Sequence, residues 1–310
     1  MDGIFFLVLA FFTIYTSIKL SYYADVLSKQ SKIGAAFIGG LLIASITSLP
    51  ELTTSISAVM FNNPTLSFGD IVGSNMFNIF VLGVYNIYFF KSNIFINSSK
   101  RHIIECLILI IDYIFITLGT YNIFISYISL ILFIMYIFYM IYVFKFGEDD
   151  NEIDNKKDKY IVIKFIVTAF FMIILSILLT YTANKITINH PTFSSSTIGA
   201  ILLGITTSLP EVVTTFALIK LNNFDMAISN MLGSNIFNFL VLSIGDIILK
   251  TDHIYEYSDR YSFFYLLGGI LVTILISLEI LSNKNKKLYY IFLSLIIIIS
   301  YLYVWYLQFS

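Results

Sequence analysis

Residues 38–83 match residues 198–243 without a gap, 160 positions further along. Eighteen of the 46 paired positions are identical, and they include TSLPE at 47–51 and 207–211 and GSN-x-FN at 73–78 and 233–238. Chance likeness between apolar stretches pairs Leu with Ile; it does not pair Pro with Pro and Glu with Glu. The chain therefore carries two copies of one unit, and a fold must give both the same local structure.

What surrounds the copies decides their environment. The 310 residues are 58% hydrophobic and 12% charged, against roughly 25% charged in an average soluble domain. Crossing a bilayer takes about 20 apolar residues. Such segments occur near 3–27, 33–61, 66–90, 102–120, 123–146, 160–186, 197–221, 225–249, 261–282 and 288–308, five on each side of the polar stretch GEDDNEIDNKKDK at 147–159. Five spans per unit is an odd number, so the second copy enters the membrane from the opposite face. The expected fold is an all-α polytopic membrane protein: ten transmembrane helices as two inverted five-helix repeats, 1–146 and 160–310, joined by the 147–159 loop. The N-terminus is apolar, opens with Asp2 and lacks a small-residue cleavage site, so it reads as a first helix and not as a signal peptide. Too little chain is left for a sizeable soluble domain, which excludes secreted factors, soluble enzymes and nucleic-acid binders. The lone Cys106 excludes an intramolecular disulfide and a CxxC zinc site.

The lysines orient the bundle. Of 18 Lys and Arg residues, fifteen fall on the side of the 147–159 loop and only Lys185, Lys250 and Arg260 on the other. The positive-inside rule makes that loop cytoplasmic and puts both termini outside, with the chain integral to the plasma membrane. Trp305, near the outer end of the last span, reads as an interfacial anchor.

Pro50 and Pro210 fall mid-span, where proline lacks the N–H that would pair with the carbonyl four residues back. Ile46 and Thr206 thereby lose a donor, and such breaks are expected in both copies. Unpaired backbone is tolerated in a membrane only where protein or a water-filled cavity satisfies it. Matched interruptions in two inverted halves point to a transporter's ion site near the midplane. Beside each proline stands a glutamate, Glu51 and Glu211. An ionised carboxylate at the membrane centre costs about 2.5–3.5 kcal/mol on the lenient insertion scale, so the pair requires a compensating cation. In the second block Asp70, Ser74 and Asn78 are spaced by four and share a helix face, and Asn230, Ser234 and Asn238 repeat it. Thr47, Ser48, Thr207 and Ser208 add hydroxyls, while no His or Cys is paired between the copies. Oxygen-only ligands suit hard ions such as Ca²⁺, with its 6–8 oxygens, Na⁺ or Mg²⁺, and not Zn²⁺ or Cu⁺. Gly73 and Gly233 are expected to let helices approach closely.

TSLPE followed by GSN-x-FN, duplicated across two five-helix halves, resembles the sodium/calcium exchanger branch of the calcium/cation antiporter superfamily, prokaryotic type. The resemblance implies a secondary antiporter that exchanges Na⁺ for Ca²⁺ by alternating access, with the first and sixth helices sliding as a gate. It implies no cofactor, no enzyme activity, ions and lipid as the partners, and function as a monomer. By resemblance Glu51 and Glu211 are the central acidic ligands. Thr47, Ser48, Ser74, Thr207, Ser208 and Ser234 lend hydroxyl or carbonyl oxygens, and Ala44 and Gly204 lend backbone carbonyls to flanking Na⁺ sites. The well-characterised exchangers have glycine where Ile46 and Thr206 stand. Several members carry aspartate in place of Asn238; with Asn78 opposite, the quartet holds a formal charge of −2, which implies a K⁺-independent cycle. Asp70 stands where the family has asparagine; an outer-rim or capping role is expected, with a third negative charge at the site as the alternative.

Three functional readings are open on the residues alone: Na⁺/Ca²⁺ antiport; Ca²⁺/H⁺ or another divalent antiport on the same fold; and, remotely, a cation channel. Asp112 has no counterpart at the 160 offset and Glu279 falls near the cytoplasmic end of the ninth span; both are expected to be structural or solvated. Glu105, Asp246, His102, His190 and His253 fall near span ends, where polar groups reach water, and carry no assigned function. The acidic run Glu148 to Asp154 reads as a solvated loop.

Overall fold

The computed structural model describes residues 2–30, 34–92, 94–95, 97–146, 158–189, 204–250, 252–282 and 287–307. Within these, the chain is helical with short turns and no strand. Helix α1 (Asp2–Gln30) is followed by α2 (Ala35–Thr47) and α3 (Leu49–Met60), which meet at Ser48 with a 43° bend. Then come α4 (Pro64–Tyr88), α5 (His102–Thr120), α6 (Ile125–Phe146), α7 (Ile161–Asn189), α8 (Leu209–Lys220) and α9 (Phe224–Leu249). A 3₁₀ turn at Ile254–Tyr257 precedes α10 (Arg260–Leu281) and α11 (Lys287–Leu307).

Eight of these helices are each long and apolar enough to cross a membrane, and the bent α2–α3 pair makes a ninth such element. The expected span at 197–221 is described only from residue 204 onward, where 204–207 is helical. The charged stretch up to residue 157 and His190 lie outside the described residues.

Burial runs opposite to that of a water-soluble bundle. α4 and α9 are the most enclosed, and α9 packs against α2, α3, α4, α5, α6 and α8. α1, α6, α7 and α11 face outward with rows of exposed Ile, Leu, Phe and Tyr, among them Phe11, Phe138, Phe170 and Leu302. Polar side chains are buried instead: Asn75, Ser208, Glu211, Asn235 and Thr273 are all fully enclosed. Water would not tolerate that surface; a hydrocarbon solvent would.

The turns explain one pair of repeated residues. Asn62 and Asn222 take the left-handed backbone conformation, φ 58° and 57°, which asparagine adopts more readily than most residues. The residue after each caps the next helix: Asn63 Oδ1 accepts from Leu66 N at 3.3 Å, and Asn223 Oδ1 accepts from Met226 N at 3.2 Å. Both copies thus turn α3 into α4, and α8 into α9, with the same two residues.

Glycines set how closely α2 crosses α9. A Cβ on Gly39 would overlap the Met226 carbonyl, one on Gly40 the Tyr139 hydroxyl, and one on Gly233 the Gly40 carbonyl oxygen. The expectation for Gly233 therefore holds. At Gly73 a Cβ would meet nothing within 4 Å among the described residues. At this crossing the helix runs through a π turn, Ile38–Ile43, which contains Gly39 and Gly40 and closes with Ala44 N donating to Gly39 O.

Several polar residues expected to be solvated at span ends are buried in networks. His102, 1% exposed, bridges Glu105 Oε2 at 2.9 Å and Asp225 Oδ1 at 2.8 Å, and Ser229 Oγ donates to Glu105 Oε1 at 2.8 Å. Asp246 accepts from Ile254 N at 2.8 Å and from Ser129 Oγ at 2.5 Å. Glu279, expected like Asp112 to be structural or solvated, is structural: fully buried, it accepts from Ser294 Oγ at 2.9 Å and from Asn86 Nδ2 at 3.4 Å. Asp112 is buried too, with Oδ1 lacking a partner among the described residues. These side chains lock helix to helix because their partners lie more than a hundred residues away for His102, Asp246 and Asn86.

Candidate cation site

Ser48 and Ser208 sit at equivalent breaks. Ser48 N donates to the Ala44 carbonyl at 3.0 Å and the Ser48 carbonyl accepts from Leu52 N at 3.1 Å; Ser208 does the same with Gly204 and Val212 at 3.2 and 3.1 Å. Their dihedrals nearly coincide, φ −88° ψ 8° and φ −81° ψ 2°. Each proline follows at the second position of the new helix, where its missing N–H leaves no intrahelical bond unmade. The break thereby moves the helix start to Leu49 and Leu209, and it puts Glu51 and Glu211 in the first turns of α3 and α8. There the exposed N–H groups and the helix dipole favour a carboxylate.

The two glutamates are tied across the copies. Ser48 Oγ donates to Glu211 Oε1 at 2.9 Å, and Ser208 Oγ donates to Glu51 Oε1 at 3.2 Å. The remaining oxygens, Glu51 Oε2 and Glu211 Oε2, are buried without a hydrogen-bond partner among the described residues. Neither carboxylate has an ion-pair partner there. Both residues are buried, at 1% and 0% exposure.

Four asparagines form a second crossed arrangement between α4 and α9. Asn75 Nδ2 donates to the Asn235 carbonyl at 3.0 Å, and Asn235 Nδ2 donates to the Asn75 carbonyl at 2.9 Å. Asn78 Nδ2 donates to Asn235 Oδ1, and Asn238 Nδ2 to Asn75 Oδ1, both at 2.9 Å. Asn78 Oδ1 and Asn238 Oδ1 are left buried without partners among the described residues.

The other predicted residues divide. Thr47 Oγ1 donates to the Ala44 carbonyl at 3.2 Å, Thr207 Oγ1 to the Gly204 carbonyl at 3.0 Å, and Ser234 Oγ to Ala44 at 3.5 Å, the edge of hydrogen-bonding range. Ser74 Oγ is buried and unpartnered among the described residues. Asn230 turns toward α8, donating to Thr215 Oγ1 at 2.9 Å and Thr214 Oγ1 at 3.2 Å. Asp70, its counterpart, lacks an amide to donate; in the first copy Ser55 bonds Ser67 instead, and Asp70 Oδ2 is buried without a partner among the described residues.

Among the described residues the polar side-chain atoms left over at the two blocks are therefore acceptors or a free hydroxyl: three carboxylate oxygens, of Glu51, Asp70 and Glu211, three amide oxygens, of Asn78, Asn230 and Asn238, and Ser74 Oγ. Burying acceptors with nothing to accept from is unfavourable by several kcal/mol in total. A hard cation supplies what they lack.

A family model described as sodium/calcium exchanger protein matches residues 3–142 and 160–310. The chain belongs to that family. It is a cation antiporter of the sodium/calcium exchanger type and an integral membrane protein; members of the family are transporters and not enzymes. Inner membrane protein YrbG of Escherichia coli (strain K12) is 22% identical over 240 residues, 74% of each chain. The uncharacterized membrane protein MJ0091 of Methanocaldococcus jannaschii is 27% identical over 221 residues, 68% of this chain and 69% of that one. Among solved structures, the sodium-calcium exchanger NCX_Mj soaked with 10 mM Na⁺ and zero Ca²⁺ aligns at TM-score 0.74 and 23% identity, covering 96% of this chain and 98% of that one. Its form soaked with 2.5 mM Na⁺ and 1 mM Sr²⁺ aligns at 0.76 and 22%, covering 98% and 97%. The likeness is one of fold.

In this exchanger-family chain a spacing of four along one helix face does not single out Asn75 and Asn235. Both copies carry them, next to the serine and three residues before Asn78 and Asn238. That identity was the available signal. A search for residues spaced by four on a single face discards it.

Proposed function

We propose that the chain exchanges Na⁺ for Ca²⁺ across the plasma membrane by alternating access. One observation carries the reading: Glu51 and Glu211 are buried, each held by a serine of the other copy, and each keeps an oxygen without a hydrogen-bond or ion-pair partner among the described residues. Glu51, Glu211, Asn78 and Asn238 form the centre of the site. Ser48, Ser74, Thr47, Thr207, Ser208 and Ser234, with the carbonyls of Ala44 and Gly204, flank it. Two negative charges are neutralised by one Ca²⁺ or by Na⁺ ions, so the loads compete for one site and their fluxes are coupled without a covalent step. With no third charge in the quartet, the cycle runs without K⁺. Asp70 stands at the outer rim.

The topology that serves this cycle is ten spans in two inverted units, 1–146 and 160–310, with the termini outside and the 147–159 loop in the cytoplasm. The fifteen-to-three bias of basic residues supports the orientation, and the paired serine and asparagine bonds between copies support a twofold relation between the units. A monomer holds the whole site.

The test is ⁴⁵Ca²⁺ uptake into proteoliposomes loaded with Na⁺ and diluted into Na⁺-free buffer. K⁺-loaded vesicles, an imposed pH gradient and Glu51→Gln serve as controls. Uptake that needs internal Na⁺ and disappears in the variant is expected. Uptake that follows the pH gradient moves the protein to Ca²⁺/H⁺ exchange, and flux that a counter-ion gradient does not drive uphill makes it a channel.

A further inference from the structure

The geometry points to Asn75 and Asn235 as positioning residues that aim the amide oxygens of Asn78 and Asn238 at the transported cation, each acting on the residue of the other copy. The inference rests on the cation site proposed above and deepens it.

An asparagine amide can flip, so its oxygen faces a cation only if something holds the nitrogen elsewhere. Here the hold follows from atoms that have a single hydrogen-bonding role. The backbone carbonyls of Asn75 and Asn235 can only accept. Facing them at 2.9 and 3.0 Å, the Asn235 and Asn75 side chains must present their nitrogens, so both Oδ1 atoms are acceptors. Asn78 and Asn238 then meet those acceptors at 2.9 Å and must present their own nitrogens. Their oxygens are left on the opposite side of each amide, buried and without a partner among the described residues. No proton is needed at any step, and every orientation is forced by the one before it.

The same logic makes the device reciprocal. Asn75 governs Asn238 and not Asn78, which lies three residues along its own helix; Asn235 governs Asn78. All four side chains are at most 1% exposed, so water does not replace a missing partner. Removing the Asn75 side chain frees the Asn238 amide to turn and present its N–H₂ group to the cation.

The experiment is a pair of double-mutant cycles read as the half-saturating Ca²⁺ concentration for thermal stabilisation of the full chain in detergent, with Na⁺ as the competing ion. Asn75→Ala and Asn238→Ala are each expected to weaken Ca²⁺ binding about tenfold, close to the worth of one hydrogen bond to a charged group. The double variant should be no weaker than either single one, whereas Asn75→Ala with Asn78→Ala should multiply to about a hundredfold. A role in packing alone predicts multiplication in both cycles and overturns the assignment. Cation-free melting temperature and size-exclusion profile separate a variant that misfolds; if Asn75→Ala misfolds, Asn235→Ala with Asn78→Ala repeats the decisive cycle from the other side. If neither Ca²⁺ nor Na⁺ stabilises the unsubstituted protein, the cation site itself is wrong and the positioning role falls with it.

Discussion

Ser48 reaches from the first copy to Glu211 in the second, its hydroxyl donating to Oε1 at 2.9 Å across 163 residues of sequence. The bond fixes which carboxylate oxygen is free, as Ser208 does for Glu51 at 3.2 Å. Ser48→Ala should therefore let Glu211 rotate and raise the Ca²⁺ concentration for half-maximal exchange by about tenfold, with Ser208→Ala acting in parallel. Vesicle flux measured against external Ca²⁺ checks this; an unchanged half-saturation would remove the serines from the site.

Glu51→Gln and Glu211→Gln keep shape and remove charge. Each should abolish Na⁺-driven Ca²⁺ uptake. Each should also raise the melting temperature measured without cations, because an uncompensated buried carboxylate is no longer held beside another. Stabilisation by Ca²⁺ should vanish in the same samples. A cation-free melting temperature that falls would show that the glutamates brace the fold instead.

Gly233→Ala places a methyl group on the Gly40 carbonyl oxygen, which belongs to backbone and does not swing aside. The expected destabilisation is about 1–3 kcal/mol, the range for overpacking, together with loss of exchange as Ser234 shifts. Gly69→Ala is the control, since its Cβ would meet only Ser262 Oγ at 3.5 Å, an ordinary contact. Equal melting temperatures for the two variants would refute a close crossing of α2 and α9.

Asp70→Asn supplies the amide that Asn230 uses in the other copy, and it removes a charge from the rim. Apparent affinity for external cations should fall by about threefold, more at low ionic strength than at high, because a partly exposed charge is screened by salt. Cytoplasmic-side affinity should not move. Flux measured in vesicles of known orientation distinguishes the two sides.

Replacing K⁺ by choline on both sides of the membrane should leave Na⁺-driven Ca²⁺ flux unchanged, since Asn78 and Asn238 bring no charge to the quartet. A strict requirement for K⁺ would mean that Asp70 contributes the third.

Much of this was legible in the residues because some chemistry is local. TSLPE announces a helix break with a carboxylate behind it. The double Asn at 62–63 and 222–223 needs only the dihedral of one residue and the cap of the next, and the 160 offset displays both. What resisted reading depends on partners far away in sequence. His102 and Glu105, at the start of an apolar stretch, look like groups heading for water until Asp225 and Ser229 close over them. Asn75 looks like packing until α9 supplies the carbonyl that turns its amide. Sequence periodicity reports which face a residue occupies; it does not report which helix will lie against that face.

The π turn at Ile38–Ile43 bears on how the chain tolerates changes in length. Such a turn winds one residue more than an α turn into about the same rise, so it takes up one extra residue without rotating the segments before and after it. Ahead of it, Phe37 packs edge-on against Phe144 at 5.8 Å; behind it, the Ala44 carbonyl faces Ser234. Deleting one residue within the turn would restore a regular helix and keep both contacts, whereas inserting a second extra residue would swing one of them about 100° around the axis. Among relatives the count from Phe37 to Ala44 should accordingly vary by the one residue of this turn, while other insertions and deletions collect in the connections between helices and leave the count from Ala44 to Glu51 unchanged.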